Sequence, residues 1–147
     1  MVQLLLVAGL KPLDAYLVEM AQKNPRAGIL GPKIYYQNPP DGASSKEACF
    51  DRIWYAGARQ RWGILAAADT GRGQVDHGQF DRVQQVDYVF GAAMFIRRSV
   101  LERIGLFDEN FFLYLEDLDM CLRAKRAGFR LLFVPQAHVW HVGSAST

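Results

Sequence analysis

The chain has 147 residues, of which half are apolar and 12% aromatic, enough to bury a hydrophobic core. Seventeen basic and fifteen acidic residues give a formal net charge of +2, which does not by itself indicate nucleic-acid binding. Two cysteines, Cys49 and Cys121, are too few for a disulfide framework, and no Cys/His spacing suits a zinc site. We therefore expect a single domain over residues 1–147 with reduced thiols.

The first elements are predicted from apolar runs and helical spacing. Residues 2–7 are expected to form a buried strand, because the run is too short to span a bilayer and lacks the basic residues of a signal peptide. Leu13, Leu17 and Met20 then recur at helical spacing. A strand follows over residues 27–36, with a bend at Gly31-Pro32, and the Pro- and Gly-rich residues 38–46 read as a loop.

The second part of the chain predicts further strands and two helices. Residues 52–65 indicate strand, turn and strand, residues 70–84 a long exposed loop, and residues 86–96 a strand that is apolar on both faces. Ser99 is the expected cap of a short helix that ends at Gly105. A second helix ends at Gly128, and two short strands split by Pro135 follow it. This order predicts an α/β fold with a mixed sheet.

Three carboxylates, Glu116, Asp117 and Asp119, lie at the start of the predicted helix that ends at Gly128, and they allow two interpretations. Acidic residues in a first helical turn stabilise the helix by about 0.3–1 kcal/mol each, and Asp119 has the i, i+4 spacing for an ion pair with Arg123. However, the apolar run of residues 111–115 would hold neighbouring carboxylates at the edge of a core. Partial burial raises a carboxylate pKa, which suits a general base.

Residues 86–141 carry a series of motifs that together resemble a known family. A Gly-Ala segment precedes "FIRR", followed by "GLFDE", an aromatic run that ends in Glu-Asp, "DMCLRAKRAG" and "VPQAHVWH". This pattern strongly resembles the second half of the family-2 glycosyltransferase catalytic domain, particularly its rhamnosyltransferase-like branch. The resemblance implies part of a nucleotide-diphospho-sugar transferase fold, of the Rossmann-like GT-A type, with a mixed sheet.

The resemblance also implies roles for individual residues. Asp117 matches the catalytic base that takes the proton from the acceptor hydroxyl, and Glu116 would be its companion in the acceptor site. His141 matches a position that can contact the metal-diphosphate of the donor, although a strand-end histidine can equally serve packing alone.

Three further residues are expected to bind donor or acceptor. Gly91 and Ala92 would leave space where the two sugars meet, although close backbone packing explains them as well. Trp140 is expected to stack on a sugar. Trp54 and Trp62 could do the same. For each of the three tryptophans, packing in the core or in a hairpin is the alternative.

The donor side of the family pattern is the part that this sequence does not match. In the family an Asp-x-Asp loop follows an "LLL"-like strand and binds metal and diphosphate, but residues 7–10 contain no carboxylate. The chain is therefore expected to be the acceptor-side half of a catalytic domain, with manganese or magnesium required by the complete enzyme and not bound by this chain.

Two functional hypotheses follow. The first is an enzyme module that transfers a sugar, with inversion, from a nucleotide-sugar to a saccharide or lipid-linked acceptor in polysaccharide or cell-wall synthesis. The second is a non-catalytic remnant or oligomeric binding module that lacks the donor site. In both cases we expect a homo-oligomer paired through the apolar edge at residues 4–7, no nucleic-acid partner and no transmembrane segment. The expected location is the cytoplasm, peripheral to the inner face of the membrane for a lipid-linked acceptor.

Overall fold

A computed structural model describes residues 12–37, 51–60, 67–111 and 115–142. The strand expected at residues 2–7, the loop at 38–46, Cys49 and Trp62 lie outside these ranges, as does the sheet edge on which the expected association rests. Within the described residues the elements, in chain order, are α1 (Leu13–Lys23), β1 (Ala27–Tyr36), β2 (Ile53–Tyr55), β3 (Ala58–Gln60), β4 (Ala67–Asp69), β5 (Gln84–Val86), β6 (Phe95–Ile96), α2 (Arg98–Ile104), α3 (Glu116–Arg126) and β7 (Arg130–His141).

The main sheet is mixed and is built around β1, which confirms the predicted class. β1 runs parallel to β7 and antiparallel to β2, and its first half also pairs antiparallel with β6. β5 pairs antiparallel with the other edge of β7, while β3 and β4 form a separate two-stranded sheet. Every residue of β1 except Tyr36 is buried, as expected for a central strand with near-continuous apolar character.

Two clusters of apolar side chains form the core. The larger one joins β1, β2 and β7 to α3 through residues such as Met120 and Cys121. The smaller one packs Leu17 and Ala21 of α1 against Leu30 and Leu132 of the sheet. Among the helices of the described residues, none has the length and apolar character that crossing a membrane requires.

A buried lysine ties the segment at residues 70–83 to β1. The Lys33 side chain is 1% exposed, and its Nζ lies 2.6 Å from Asp76 Oδ2 and 2.5 Å from Asp81 Oδ1. The Tyr35 hydroxyl also donates to Asp76 Oδ2, at 2.6 Å. Burial alone would raise the pKa of Asp76, but the hydrogen bonds from Lys33, Tyr35 and the Gly78 N–H outweigh it and hold that pKa below its usual value.

The strand predicted over residues 86–96 is wrong in its middle. Only its two ends are strands, and they pair with different partners, β5 with β7 and β6 with β1. Between them the backbone N–H groups bond elsewhere: that of Val89 to Cys121 Sγ at 3.4 Å and that of Gly91 to Asp117 Oδ2 at 2.8 Å. This segment leaves the sheet because side chains of α3 occupy its hydrogen-bonding groups.

Two further boundaries differ from the prediction. Helix α2 begins at Arg98, so Ser99 lies inside it and is not its cap; Arg97 precedes the helix, fixed by its own N–H to the Gly28 carbonyl at 2.9 Å. Pro135 does not split β7, which is one strand with a register shift: Val134 pairs with Pro32 and His138 with Lys33, so Pro135 falls in the unpaired bulge where no N–H is needed.

Candidate functional site

Asp117 is held at the start of α3 by donors from three directions. Its side chain is 7% exposed. Oδ2 accepts hydrogen bonds from the Tyr88 hydroxyl and from the Gly91 N–H, and Oδ1 accepts one from the Leu118 N–H at 2.8 Å. A buried carboxylate with this many donors is fixed in one orientation, as a group that acts on a ligand must be.

The turn into α3 has an unusual backbone. Leu115 precedes the helix with φ 70 and ψ −9, a left-handed conformation that no other non-glycine residue adopts in the described part of the chain. Such a conformation costs about 1–3 kcal/mol and persists where the surrounding structure enforces it, often at functional sites. Leu115 thereby brings Glu116 and Asp117 into the first turn of the helix, with the Asp119 N–H bonded to the Leu115 carbonyl at 2.8 Å.

Glu116 carries a buried oxygen that has no hydrogen bond. Its Oε2 is shielded from solvent, and no donor reaches it from any residue in the described ranges. A buried carboxylate oxygen normally accepts at least one hydrogen bond, so this atom has unused accepting capacity within the described part of the chain. Asp119 behaves differently: Arg123 Nε lies 2.6 Å from its Oδ2, so it forms the predicted helix ion pair.

A series of aromatic contacts connects Asp117 to the end of β7. The Tyr88 ring packs edge-on against Phe90 at 5.6 Å, Phe90 against Trp54 at 4.3 Å, and Trp54 stacks on His141 at 4.6 Å between ring centroids. Through these rings the structure brings the predicted base and the predicted donor-side histidine into one wall. We did not predict Tyr88 from the sequence; its only signal was a hydroxyl-bearing ring inside an apolar run.

Three ionisable groups of this region, Tyr88, Cys121 and His141, have shifted pKa values. Burial, reinforced by the hydrogen bond to Asp117, raises the pKa of Tyr88 far above its usual value, so its phenol stays protonated and remains a donor. Burial also raises the pKa of the Cys121 thiol to about 12, which leaves it a poor nucleophile. Burial lowers the pKa of His141, which favours the neutral imidazole.

The predicted ligand-binding residues fall in two places. Gly91 packs against Asp117, and a Cβ added there would lie 3.0 Å from Oδ2 and 3.1 Å from the Asp117 Cβ. A side chain at this position would therefore displace the carboxylate. Ala92 is half-buried beside the larger cluster. Trp140 lies elsewhere, stacked on Tyr35 at 5.6 Å, and Trp54 is buried, which matches the packing alternative for it.

The described residues do not form a metal site by themselves. No group of three or more His, Cys, Asp or Glu side chains within those ranges could hold an ion, and His141 stacks on Trp54. Residues 7–10, which occupy the place of the family's donor loop, lie outside the described residues. We therefore assign no metal ligand in this part of the chain.

Residues 14–147 match the family described as "Glycosyltransferase like family 2", a match that includes Asp117, its donors and His141. The chain belongs to this family. The resemblance seen in the sequence is thus confirmed, and the mixed sheet with its flanking helices is consistent with part of a GT-A glycosyltransferase fold.

Several curated proteins are similar to this member of family 2. The "N-acetylglucosaminyl-diphospho-decaprenol L-rhamnosyltransferase" of Mycobacterium tuberculosis is 31% identical over 151 residues, which cover 92% of this chain and 43% of the relative. "Rhamnosyltransferase WbbL" of Escherichia coli K12 is 45% identical over 56 residues, 38% of this chain and 21% of the relative. The "Low-salt glycan biosynthesis hexosyltransferase Agl10" of Haloferax volcanii is 37% identical over 54 residues, 37% of this chain and 18% of the relative. The chain therefore spans less than half the length of these relatives.

Proposed function

We propose that this chain supplies the acceptor side of an inverting glycosyltransferase. The observation that supports the proposal best is that Asp117, which the sequence resemblance assigns to the catalytic base, is a buried carboxylate held by Tyr88 and Gly91. The relatives named as rhamnosyltransferases favour a nucleotide-activated rhamnose as donor, and the mycobacterial relative favours a lipid-linked diphospho-sugar as acceptor.

In the proposed reaction Asp117 acts as general base. Oδ2 already accepts two hydrogen bonds and Oδ1 only one, so Oδ1 retains a lone pair for the proton of the acceptor hydroxyl. As that proton moves to Asp117, the hydroxyl oxygen attacks the anomeric carbon of the donor. The bond from that carbon to the diphosphate oxygen breaks on the opposite side, and the nucleoside diphosphate leaves with the electron pair.

Glu116 and Gly91 have separate roles in this proposal. The unpaired Oε2 of Glu116 would accept a hydrogen bond from a second hydroxyl of the acceptor and orient the sugar. Gly91 keeps the Asp117 carboxylate in place, because any side chain at residue 91 would contact it. A divalent metal, if the complete enzyme uses one, would need ligands from outside the described residues, because these contain no group of three suitable side chains. We expect such an enzyme to work in the cytoplasm at the inner face of the membrane, where a lipid-linked acceptor would be presented.

A matched pair of variants tests the assignment. In the complete enzyme, assayed with a nucleotide-activated rhamnose and an N-acetylglucosaminyl-diphospho-lipid, Asp117→Asn should lower product formation by about 10²- to 10⁴-fold, because the amide cannot accept the proton. Asp119→Asn removes the same charge two residues away but only breaks an ion pair with Arg123, so it should change the rate little.

Mass spectrometry of the lipid product reads out both variants. Equal small effects would mean that both carboxylates only stabilise the helix. Absence of product when the chain is assayed together with a donor-binding half, across a panel of nucleotide-sugars, would instead favour the second hypothesis, a non-catalytic binding module. Light scattering on the same sample tests the proposed homo-oligomer.

A further inference from the structure

A basic cavity lies at the amino ends of the two parallel strands. It has a volume of about 390 Å³ and lies between the C-terminus of α1 and the first residues of β1 and β7. Among the described residues its charged lining side chains are all cations, Lys23, Arg26 and Arg130. Lys23 is paired with Glu19 on the outer face of α1, at 2.5 Å, so the two arginines carry most of the net charge.

Arg26 and Arg130 are adjacent in their backbones because the first residues of β1 and β7 pair in parallel. Arg130 pairs with Ala27 in the parallel register, and its N–H donates to the Arg26 carbonyl at 2.8 Å. Neither guanidinium has a hydrogen bond or ion pair with any other residue in the described ranges. Both arginines line the same cavity, and the planar donors of a guanidinium suit phosphate oxygens.

The negative end of α1 would normally weaken anion binding here, but it is offset in part. The Arg97 guanidinium donates to the carbonyl oxygens of Ala21, of Asn24 at 3.4 Å and of Ala27 at 2.7 Å. Of these carbonyls, that of Ala21 lies in the last turn of α1 and that of Asn24 directly follows the helix, so Arg97 offsets part of the negative charge of this helix end. The helix end therefore opposes anion binding less than a free helix C-terminus would.

The cavity is separate from the Asp117 site. It lies at Arg130, the first residue of β7, whereas His141 of the aromatic wall is the last residue of the same strand. At about 3.3 Å per residue the two ends of the strand are roughly 35 Å apart. None of the residues that line the cavity is among the hydrogen-bond donors to Asp117.

We propose that this cavity is a second ligand site, which binds a phosphate or diphosphate group through Arg26 and Arg130. The group belongs either to a small phosphorylated molecule in solution or to a lipid headgroup; both present the same oxygens to the two arginines. The proposal does not depend on the chemistry assigned to Asp117.

Calorimetry with inorganic pyrophosphate at low ionic strength tests the first source. Wild-type protein should bind with a dissociation constant of about 1 mM or tighter. Each of Arg26→Gln and Arg130→Gln should weaken binding about tenfold, and the double variant should abolish it. The matched control is Arg98→Gln with Arg103→Gln, which removes the same two charges from α2 and should leave affinity within about twofold.

Cosedimentation with vesicles of phosphatidylcholine, with and without phosphatidic acid, tests the second source. Binding to phosphatidic acid that the double variant loses, without binding of pyrophosphate, assigns the site to a lipid headgroup; the reverse assigns it to a soluble ligand. Absence of both, or an equal loss in the control variant, overturns the proposal. Circular dichroism melting of each variant verifies that the fold is intact.

Discussion

The hydroxyl of Tyr88 provides the sharpest test of how Asp117 is held. Tyr88 is 8% exposed and Asp117 7%, so the hydrogen bond between them is shielded from water. Tyr88→Phe deletes the donor and leaves the ring in its contact with Phe90. The carboxylate then keeps only the N–H groups of Gly91 and Leu118.

The expected cost follows from that geometry. A hydrogen bond to a charged group contributes about 1.5–3 kcal/mol, and no water replaces the lost donor readily at a buried position. We expect Tyr88→Phe to lower the free energy of unfolding by about 2 kcal/mol, or the melting temperature by about 4–8 °C for a domain of this size. Urea unfolding followed by tryptophan fluorescence measures the change.

Two controls separate this bond from general packing. Tyr36→Phe removes a hydroxyl that makes no hydrogen bond within the described residues and should cost less than about 0.5 kcal/mol. In a double-mutant cycle, Tyr88→Phe combined with Asp117→Asn should show a coupling of about 1 kcal/mol or more. A Tyr88→Phe effect as small as that of Tyr36→Phe, or a coupling near zero, would refute the reasoning.

Three other outcomes are expected. Asp76→Ala should lower the free energy of unfolding by about 3 kcal/mol, because it leaves the buried Lys33 with only Asp81 as a partner, and Asp81 is 62% exposed. Asp81→Ala should lower it by less than about 1 kcal/mol. Equal losses in urea unfolding would contradict this reasoning. In a Cys49→Ser background, Cys121 should resist a thiol reagent at pH 8 until denaturant is added, because the thiol is buried and its pKa is raised; rapid labelling of native protein would argue against burial of the thiol. Calorimetry with manganese and a nucleoside diphosphate should show weak binding or none, and a micromolar, metal-dependent affinity would show a donor site in this chain.

The sequence by itself determined the features that depend on neighbours along the chain. Helix α1, the ion pair of Asp119 with Arg123 and the glycine ends of α2 and α3 were predicted because spacing of three or four residues decides them. The family was also visible in the sequence, because its motifs are local strings of residues.

Only the tertiary structure decided the contacts that join distant segments. Tyr88 reaches Asp117 across 29 residues, and Lys33 reaches Asp76 across 43, so no local pattern could pair them. The strand predicted over residues 86–96 is wrong for the same reason. Its apolar run suits a strand and a crossover equally well. The backbone leaves the sheet because it forms hydrogen bonds with Asp117 and Cys121 of α3. Apolar pattern fixes which residues are buried, but which backbone groups pair depends on the elements that pack against them.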